Sequence, residues 1–382
     1  MIFGMQSSGD IKLSNIGRAL EESIPLKKTE ERLSRNLKCP DLDRKLNEIV
    51  AKEAAPRIQK DSLIIVDPTD VRKEYAQKMP FLARIRDGSR KELANGYSGC
   101  MAVACRPGKR TMMPLHLRMW SSEAPDFVSE NHQILEVIRT ISEANSKRGV
   151  YVIDRGGDRK ELIEPILNEQ LKFIIRLVGN RNLQFGNREF LAEHIAGGCP
   201  RTHIEHIVKE TREGEKTYKL EFGMRKVRMP GRDEDLTLVV VHGLGEKPLM
   251  LLTNLNVTRG RKSLWRIVEG YLSRWLVEEA IRFAKQSYNL EDIRLLDWDR
   301  LKNMMGILLL SLYFISVHLG AQLRMTILSG HIVSAAKRFY GVSEFCYYAL
   351  ADGVSNLLAR ITPKQPPPKP QKSPQTILPG FT

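Results

Sequence analysis

The sequence predicts an α/β protein built on a mixed sheet flanked by helices, and three observations carry that prediction. Between Ser62 and Leu177, short apolar runs of strand length alternate with amphipathic helical stretches, in the order three strands, helix, strand, helix, strand. From residue 179 to 257 the composition shifts toward Gly, Asn and Arg, and further strand-like runs follow one another without an intervening helical period. The helical period then returns from about Ser263 and persists to Ile361.

Taken in order, residues 1–60 read as polar helices, with LSNIGRALEES and PLKKTEERLSRNL on either side of a turn at Ser23–Pro25. They suit two roles equally: a helix-turn-helix presenting Lys27, Lys28, Arg32 and Arg35, or a helical cap on the next domain. Ser62–Val66 is a buried strand ending in Asp67. Met101–Cys105 and Met113–Met119 are the next two, joined by the turn Arg106-Pro107-Gly108-Lys109, so the first three strands run antiparallel. Asn131–Ser146 has helical periodicity, with Ile134, Leu135, Val137, Ile138 and Ile141 on one side. Tyr151–Ile153 is the fourth strand and ends in Asp154. Asp158 and Glu161 have the spacing of a capping box ahead of a helix over Leu162–Leu171, and Phe173–Leu177 is the fifth strand. In the insertion, Tyr218–Phe222, Leu236–Val241 and Leu249–Thr253 read as strands. The expected organisation is a helical N-terminal region (1–60), the first part of a catalytic domain (61–178), a mostly β insertion (179–257), a helical remainder of that domain (258–361) and an extended, disordered Pro-rich tail (362–382).

Over 382 residues, 60 Lys and Arg face 45 Asp and Glu, a formal net charge of +15. A balance this basic favours a polyanionic partner, nucleic acid or an anionic membrane surface. A membrane role is disfavoured. The uncharged stretch Met304–Leu323 is interrupted by Ser311, Ser316, His318 and Gln322, and charged stretches crowd both its ends, which suits a buried helix. Five cysteines without a framework spacing fit reduced thiols in a cytoplasmic compartment, and the N-terminus has no basic stretch leading into an apolar core, so no leader is expected. His194, Cys199, His203 and His206 resemble a ligand cluster, but their gaps fit no usual zinc pattern and a lone Cys makes a poor structural site.

The most informative stretch is Tyr271–Lys285. On one helix at about 100° per residue, Tyr271, Arg274, Glu278 and Lys285 share a stripe roughly 60° wide. Leu272, Trp275, Leu276, Ala280 and Phe283 lie on the opposite arc, suited to packing on a sheet. A carboxylate for a hard divalent cation beside Arg and Lys for phosphate oxygens is an arrangement for handling a phosphodiester. Periodicity alone is met better by a solvated charged face with ordinary ion pairs.

The spacing Tyr-x2-Arg-x3-Glu-x6-Lys resembles the YREK signature of DDE transposases in the bacterial family typified by insertion sequence number four. Asp67 in SLIIVDPTDV and Asp154 in VYVIDRGGDRKE resemble the first and second catalytic aspartates of that family, in the same chain order. The likeness covers about residues 60 to 320. It implies a ribonuclease-H-like fold in which Asp67, Asp154 and Glu278 form a carboxylate triad holding two Mg²⁺ ions, with Mn²⁺ as a substitute. It also implies an enzyme that cleaves transposon ends and joins the 3′-hydroxyl to target DNA, acting as a homodimer on double-stranded DNA in a prokaryotic cytoplasm, at the nucleoid. Tyr271, Arg274 and Lys285 would then bind end phosphates, with Arg155, Arg176, Asn180 and Arg181 as further backbone contacts. The basic segments Arg225–Arg232 and Arg259–Arg266 would extend the DNA path, and Trp265 suits either a core position or stacking on an extruded base.

Of the neighbouring carboxylates, Asp70 is expected past Pro68 in a turn, Asp158 at a helix cap, and Glu279 about 100° off the stripe. Two alternatives remain: a ribonuclease-H-like nuclease or resolvase that only cleaves, and a non-catalytic transposase-derived DNA-binding protein.

Overall fold

The computed structural model describes residues 1–73, 75–86, 92–109, 111–211, 214–319, 327 and 346–361, so the Pro-rich tail and the end of the apolar stretch lie outside the described residues. The first strand, β1 (Leu63–Arg72), forms the axis of the sheet, and its first four residues are fully buried. It pairs antiparallel with β3 (Leu93–Cys105), which carries β4 (Met113–Trp120) and the short β2 (Ala83–Arg86) on its other side. On the opposite flank β1 pairs parallel with β5 (Val150–Ile153), and β5 pairs parallel with β6 (Lys172–Arg176). Three antiparallel strands followed by two parallel ones make a ribonuclease-H-like sheet, as expected.

Parallel strands need a crossover connection. Helix α5 (Glu130–Ala144) precedes β5, its first turn capped by Ser129 Oγ accepting from the His132 amide at 3.1 Å. It buries Ile134, Val137, Ile138 and Ile141, which recur at helical spacing, and α6 (Lys160–Asn168) links β5 to β6. The expected capping box on α6 does not form. Asp158 Oδ2 instead accepts from the Val178 amide at 2.8 Å and Oδ1 pairs with Arg181, so this buried carboxylate ties the exit of β6 to the start of α6.

The expected β insertion comprises a hairpin of β7 (Asn182–Phe185) and β8 (Arg188–Leu191), the short α7 (Ala192–Gly197), β9 (His203–Thr211), β10 (Gly214–Val227), β11 (Leu236–His242) and β12 (Leu249–Thr253). Strand β12 docks antiparallel on β6, so β12, β11, β10 and β9 continue the central sheet, ten strands in all among the described residues. His194 and Cys199 lie on and just after α7, while His203 and His206 lie on β9, where His203 Nε2 is 2.8 Å from the Arg259 carbonyl.

Asp67 was expected at the strand end and Asp70 in a turn, but β1 runs through both to Arg72. Its pairing with β5 stops at Val66, so beyond that point β1 has β3 on one side only, a setting in which Pro68 is tolerated.

Of the N-terminal helices α1 (Ile2–Ser8), α2 (Leu13–Ala19), α3 (Leu26–Asn36) and α4 (Leu42–Ala54), α1 and α4 pack against the C-terminal ones, while α2 lies between α1 and α3. Helix α10 (Trp298–Tyr313) lies against α4 and β4, and α11 (Tyr347–Ile361) lies against α1. The run Trp298–His318 is long and apolar enough to cross a membrane, yet 67% of its most apolar window is buried inside the fold. On α10, buried Asn303 joins the two ends of the chain. Its amide donates to the carbonyls of Leu37 at 2.6 Å and Cys39 at 2.8 Å, and its Oδ1 accepts from the Asp43 amide at 2.8 Å. Orphaned buried backbone groups cost about 1–3 kcal/mol each. Asn303→Ala is therefore expected to lower stability by about 3 kcal/mol or more in chemical denaturation and to speed proteolysis between α3 and α4. A loss below about 0.5 kcal/mol would show that water replaces the amide.

Candidate active site

The parallel pairing of β1 and β5 sets the site. Val66 lies opposite Ile153 in the last pair of that ladder, so the next residue of each strand, Asp67 and Asp154, emerges at the same edge. Strand β5 stops there, and Asp154 caps a single 3-10 turn (Arg155–Gly157), its Oδ1 accepting from the Gly156 amide at 2.7 Å. A Cβ on Gly156 would lie 2.9 Å from that same oxygen, so a side chain there would push the carboxylate away.

Glu278 reaches this edge from above the sheet. The single helix expected over Tyr271–Lys285 is two, α8 (Arg261–Leu272) and α9 (Trp275–Ser287). The break falls at Ser273 and Arg274: the Ser273 hydroxyl donates to the Glu269 carbonyl at 2.9 Å, and the next backbone bonds shorten to three residues, from the Arg274 amide to Tyr271 and from the Val277 amide to Arg274. Helix α8 packs on β5, β6 and β12, whereas α9 packs on β1 and β3. The break thus carries the chain from one half of the sheet face to the other, over Asp67. Leu276, Val277, Ala280, Phe283 and Ala284 form the buried face of α9.

The four stripe residues consequently separate into distinct settings. Arg274 stands between two carboxylates: one guanidinium nitrogen is 3.6 Å from Asp67 Oδ2 and another contacts Glu278 Oε1. Lys285, further along α9, pairs with Asp70 at 3.1 Å and Glu291 at 2.9 Å. Tyr271 is buried at the end of α8, while the Glu278 side chain is 46% exposed.

Asp67 is the electrostatically unusual member. Burial pushes its carboxyl up to about 7; the Arg274 guanidinium opposes that rise, and the negative charges of Asp154 and Glu278 add to it. The all-oxygen donor set of Asp67, Asp154 and Glu278 has the chemistry of a hard divalent-cation site. Among the described residues no three His, Cys, Asp or Glu side chains stand together as a ready metal cage. Arg274 occupies the position between Asp67 and Glu278 and supplies positive charge there.

A cleft of about 550 Å³ opens beside Glu278, lined by Arg155, Arg176, Lys247, Tyr271, Arg274 and Trp275 among others. Four of the expected DNA contacts, Arg155, Arg176, Tyr271 and Arg274, thus share one wall system with Glu278. Arg181 and Trp265 are not among its lining residues. Arg181 is sequestered on Asp158, and the Trp265 ring packs 5.9 Å from that of Phe222, on its core-residue reading. Trp275, expected on the buried arc of one helix, lines this cleft instead. Lys247, in the β11–β12 connection, escaped sequence reasoning because a loop lysine carries no periodic signal.

A family model described as the transposase DDE domain matches residues 58–314. No curated protein sequence matches. Among solved structures, similarity extends to a cryo-EM structure of piggyBac transposase synaptic complex with hairpin DNA, at 12% identity and a TM-score of 0.42, covering 80% of this chain and 55% of that one. The chain therefore spans little more than half the length of that relative, a likeness too distant to carry a functional argument.

An acid whose pKa is higher folded than unfolded contributes most to stability below its unfolded value and loses that contribution as pH rises through the folded one. For Asp67 the window runs from about 4 to about 7. Asp67→Asn should therefore raise Tm by about 3–5 °C at pH 8 in metal-free buffer, with a smaller gain at pH 5. A gain independent of pH would remove buried charge as its cause.

Proposed function

Because the chain belongs to the transposase DDE domain family, we propose that it cleaves transposon ends and joins the freed 3′-hydroxyl to target DNA, with Asp67, Asp154 and Glu278 as its carboxylate triad. The observation that carries this reading is the emergence of Asp67 and Asp154 side by side from paired parallel strands, with Glu278 linked to Asp67 through Arg274. The YREK spacing supports assignment to the insertion-sequence-four type.

Asp67, Asp154 and Glu278 would hold Mg²⁺, with Mn²⁺ as a substitute; bound ions would supply activation of the attacking water or 3′-hydroxyl and stabilisation of the leaving oxygen. The protein's own part is charge control and positioning. Burial penalises the charged form of Asp67 and pushes its carboxyl up to about 7. The Arg274 guanidinium offsets that penalty, and it also lines the cleft beside Glu278. A phosphate entering the cleft competes for the same guanidinium. Tyr271 and Trp275 give the cleft aromatic walls, and Arg155 and Arg176 give it cationic ones. The net charge of +15 supports double-stranded DNA, both transposon ends and target, as the partner. A homodimer assembled on DNA in the cytoplasm follows from the same reading.

Asp67→Ala, Asp154→Ala and Glu278→Gln are each expected to reduce Mg²⁺-dependent cleavage of DNA carrying the element's flanking repeats by about a thousandfold or more, with binding changed less than about threefold. Unimpaired cleavage by the Glu278 variant would sink the assignment. In wild-type reactions, cleavage without any joined product would favour the nuclease reading.

A further inference from the structure

The connection between β11 and β12 is a tight, glycine-bearing turn that reaches the cleft beside Glu278. Gly243 opens it at φ +102, and a Cβ there would lie 2.0 Å from the Lys219 carbonyl oxygen, so the turn passes directly against β10. The turn brings Leu244 to Lys247 into the wall of the cleft that Arg155 and Arg176 also line.

The cations around this cleft differ in how they are neutralised. Arg274 is held by Asp67 and Glu278. On the neighbouring insertion, Arg201, Arg228 and Arg232 each pair with a carboxylate, and so does Arg261 of α8. Arg155, Arg176 and Lys247 have no carboxylate partner among the described residues, although they arrive from three separate elements: the turn after β5, the end of β6 and the β11–β12 connection. Convergent cations repel one another, at a cost that a fold retains where an anion completes the set. Glu246 also lines the cleft and offsets only one of the three charges. An aqueous volume of about 550 Å³ admits a short stretch of sugar-phosphate backbone.

We propose that the Gly243–Lys247 turn is a phosphate clamp, in which Lys247 joins Arg155 and Arg176 in binding successive backbone phosphates of the strand presented to Glu278. This rests on the transposase reading and adds to it a third chain segment, one that the insertion supplies. Lys247 acts as a point charge on a non-bridging oxygen, while the two arginines offer forked donors to neighbouring phosphates.

The test is fluorescence anisotropy of the full chain with a labelled DNA duplex, repeated across a potassium chloride series. A lost phosphate contact lowers the slope of log affinity against log salt by about one. Lys247→Ala and Arg155→Ala should each show that drop and bind about three- to tenfold more weakly near 0.1 M salt, with unchanged Tm. Lys247→Arg should keep the wild-type slope. Arg44→Ala, which removes a cation paired with Glu48 on α4 at 2.7 Å, serves as the control and should also keep it. A wild-type slope in Lys247→Ala overturns the clamp and leaves the transposase reading standing. Failure of the wild-type chain to bind duplex DNA in a salt-dependent way overturns both.

Discussion

Four backbone-paired residues on each side, Leu63–Val66 against Val150–Ile153, hold the candidate site in place. Both segments are fully buried, so neither can slide without exposing apolar surface or turning every side chain to the other face of the sheet. The first residue past the ladder on each strand is an aspartate. With the register fixed, the two carboxylates are neighbours whatever the loops around them do. Strand β3 secures β1 from the other side over ten residue pairs, which lets β1 project beyond β5 and leaves room at the edge for α9.

The electrostatic problem this creates is solved within the protein. Two aspartates at a buried edge and a glutamate above them repel, and burial raises the cost for Asp67 most. Arg274, at the break between α8 and α9, answers that charge from one side. Lys285 answers a separate one at Asp70 and Glu291. What resembles a continuous stripe of functional groups in a helical projection is two ion-pair centres on one helix, plus a tyrosine buried on another.

The order of strands and helices was legible because apolar period and length suffice for it, and the Asp67 and Asp154 contexts were legible because both follow short apolar runs. What escaped depends on contacts between distant segments. Pro68 looks like a strand terminator unless β5 is known to stop at Val66, leaving that side of β1 without a partner. Ser273 is unremarkable in a helix until its hydroxyl takes the Glu269 carbonyl where the path breaks. Asp158 has the spacing of a cap, yet the Val178 amide and Arg181 compete for it from twenty or more residues away and prevail. The insertion reads as a separate β region because alternation in a strand does not name its neighbour; the pairing of β12 with β6 does.

That last pairing has a mechanical consequence. From β3 through β1, β5, β6 and β12 to β9, adjacent strands share one uninterrupted ladder. Duplex DNA is stiff over tens of base pairs, so a protein that grips it at one end and deforms it at another must withstand torque. Here a twist applied at the outer strands would reach the aspartates through the lateral hydrogen bonds that join each strand to the next.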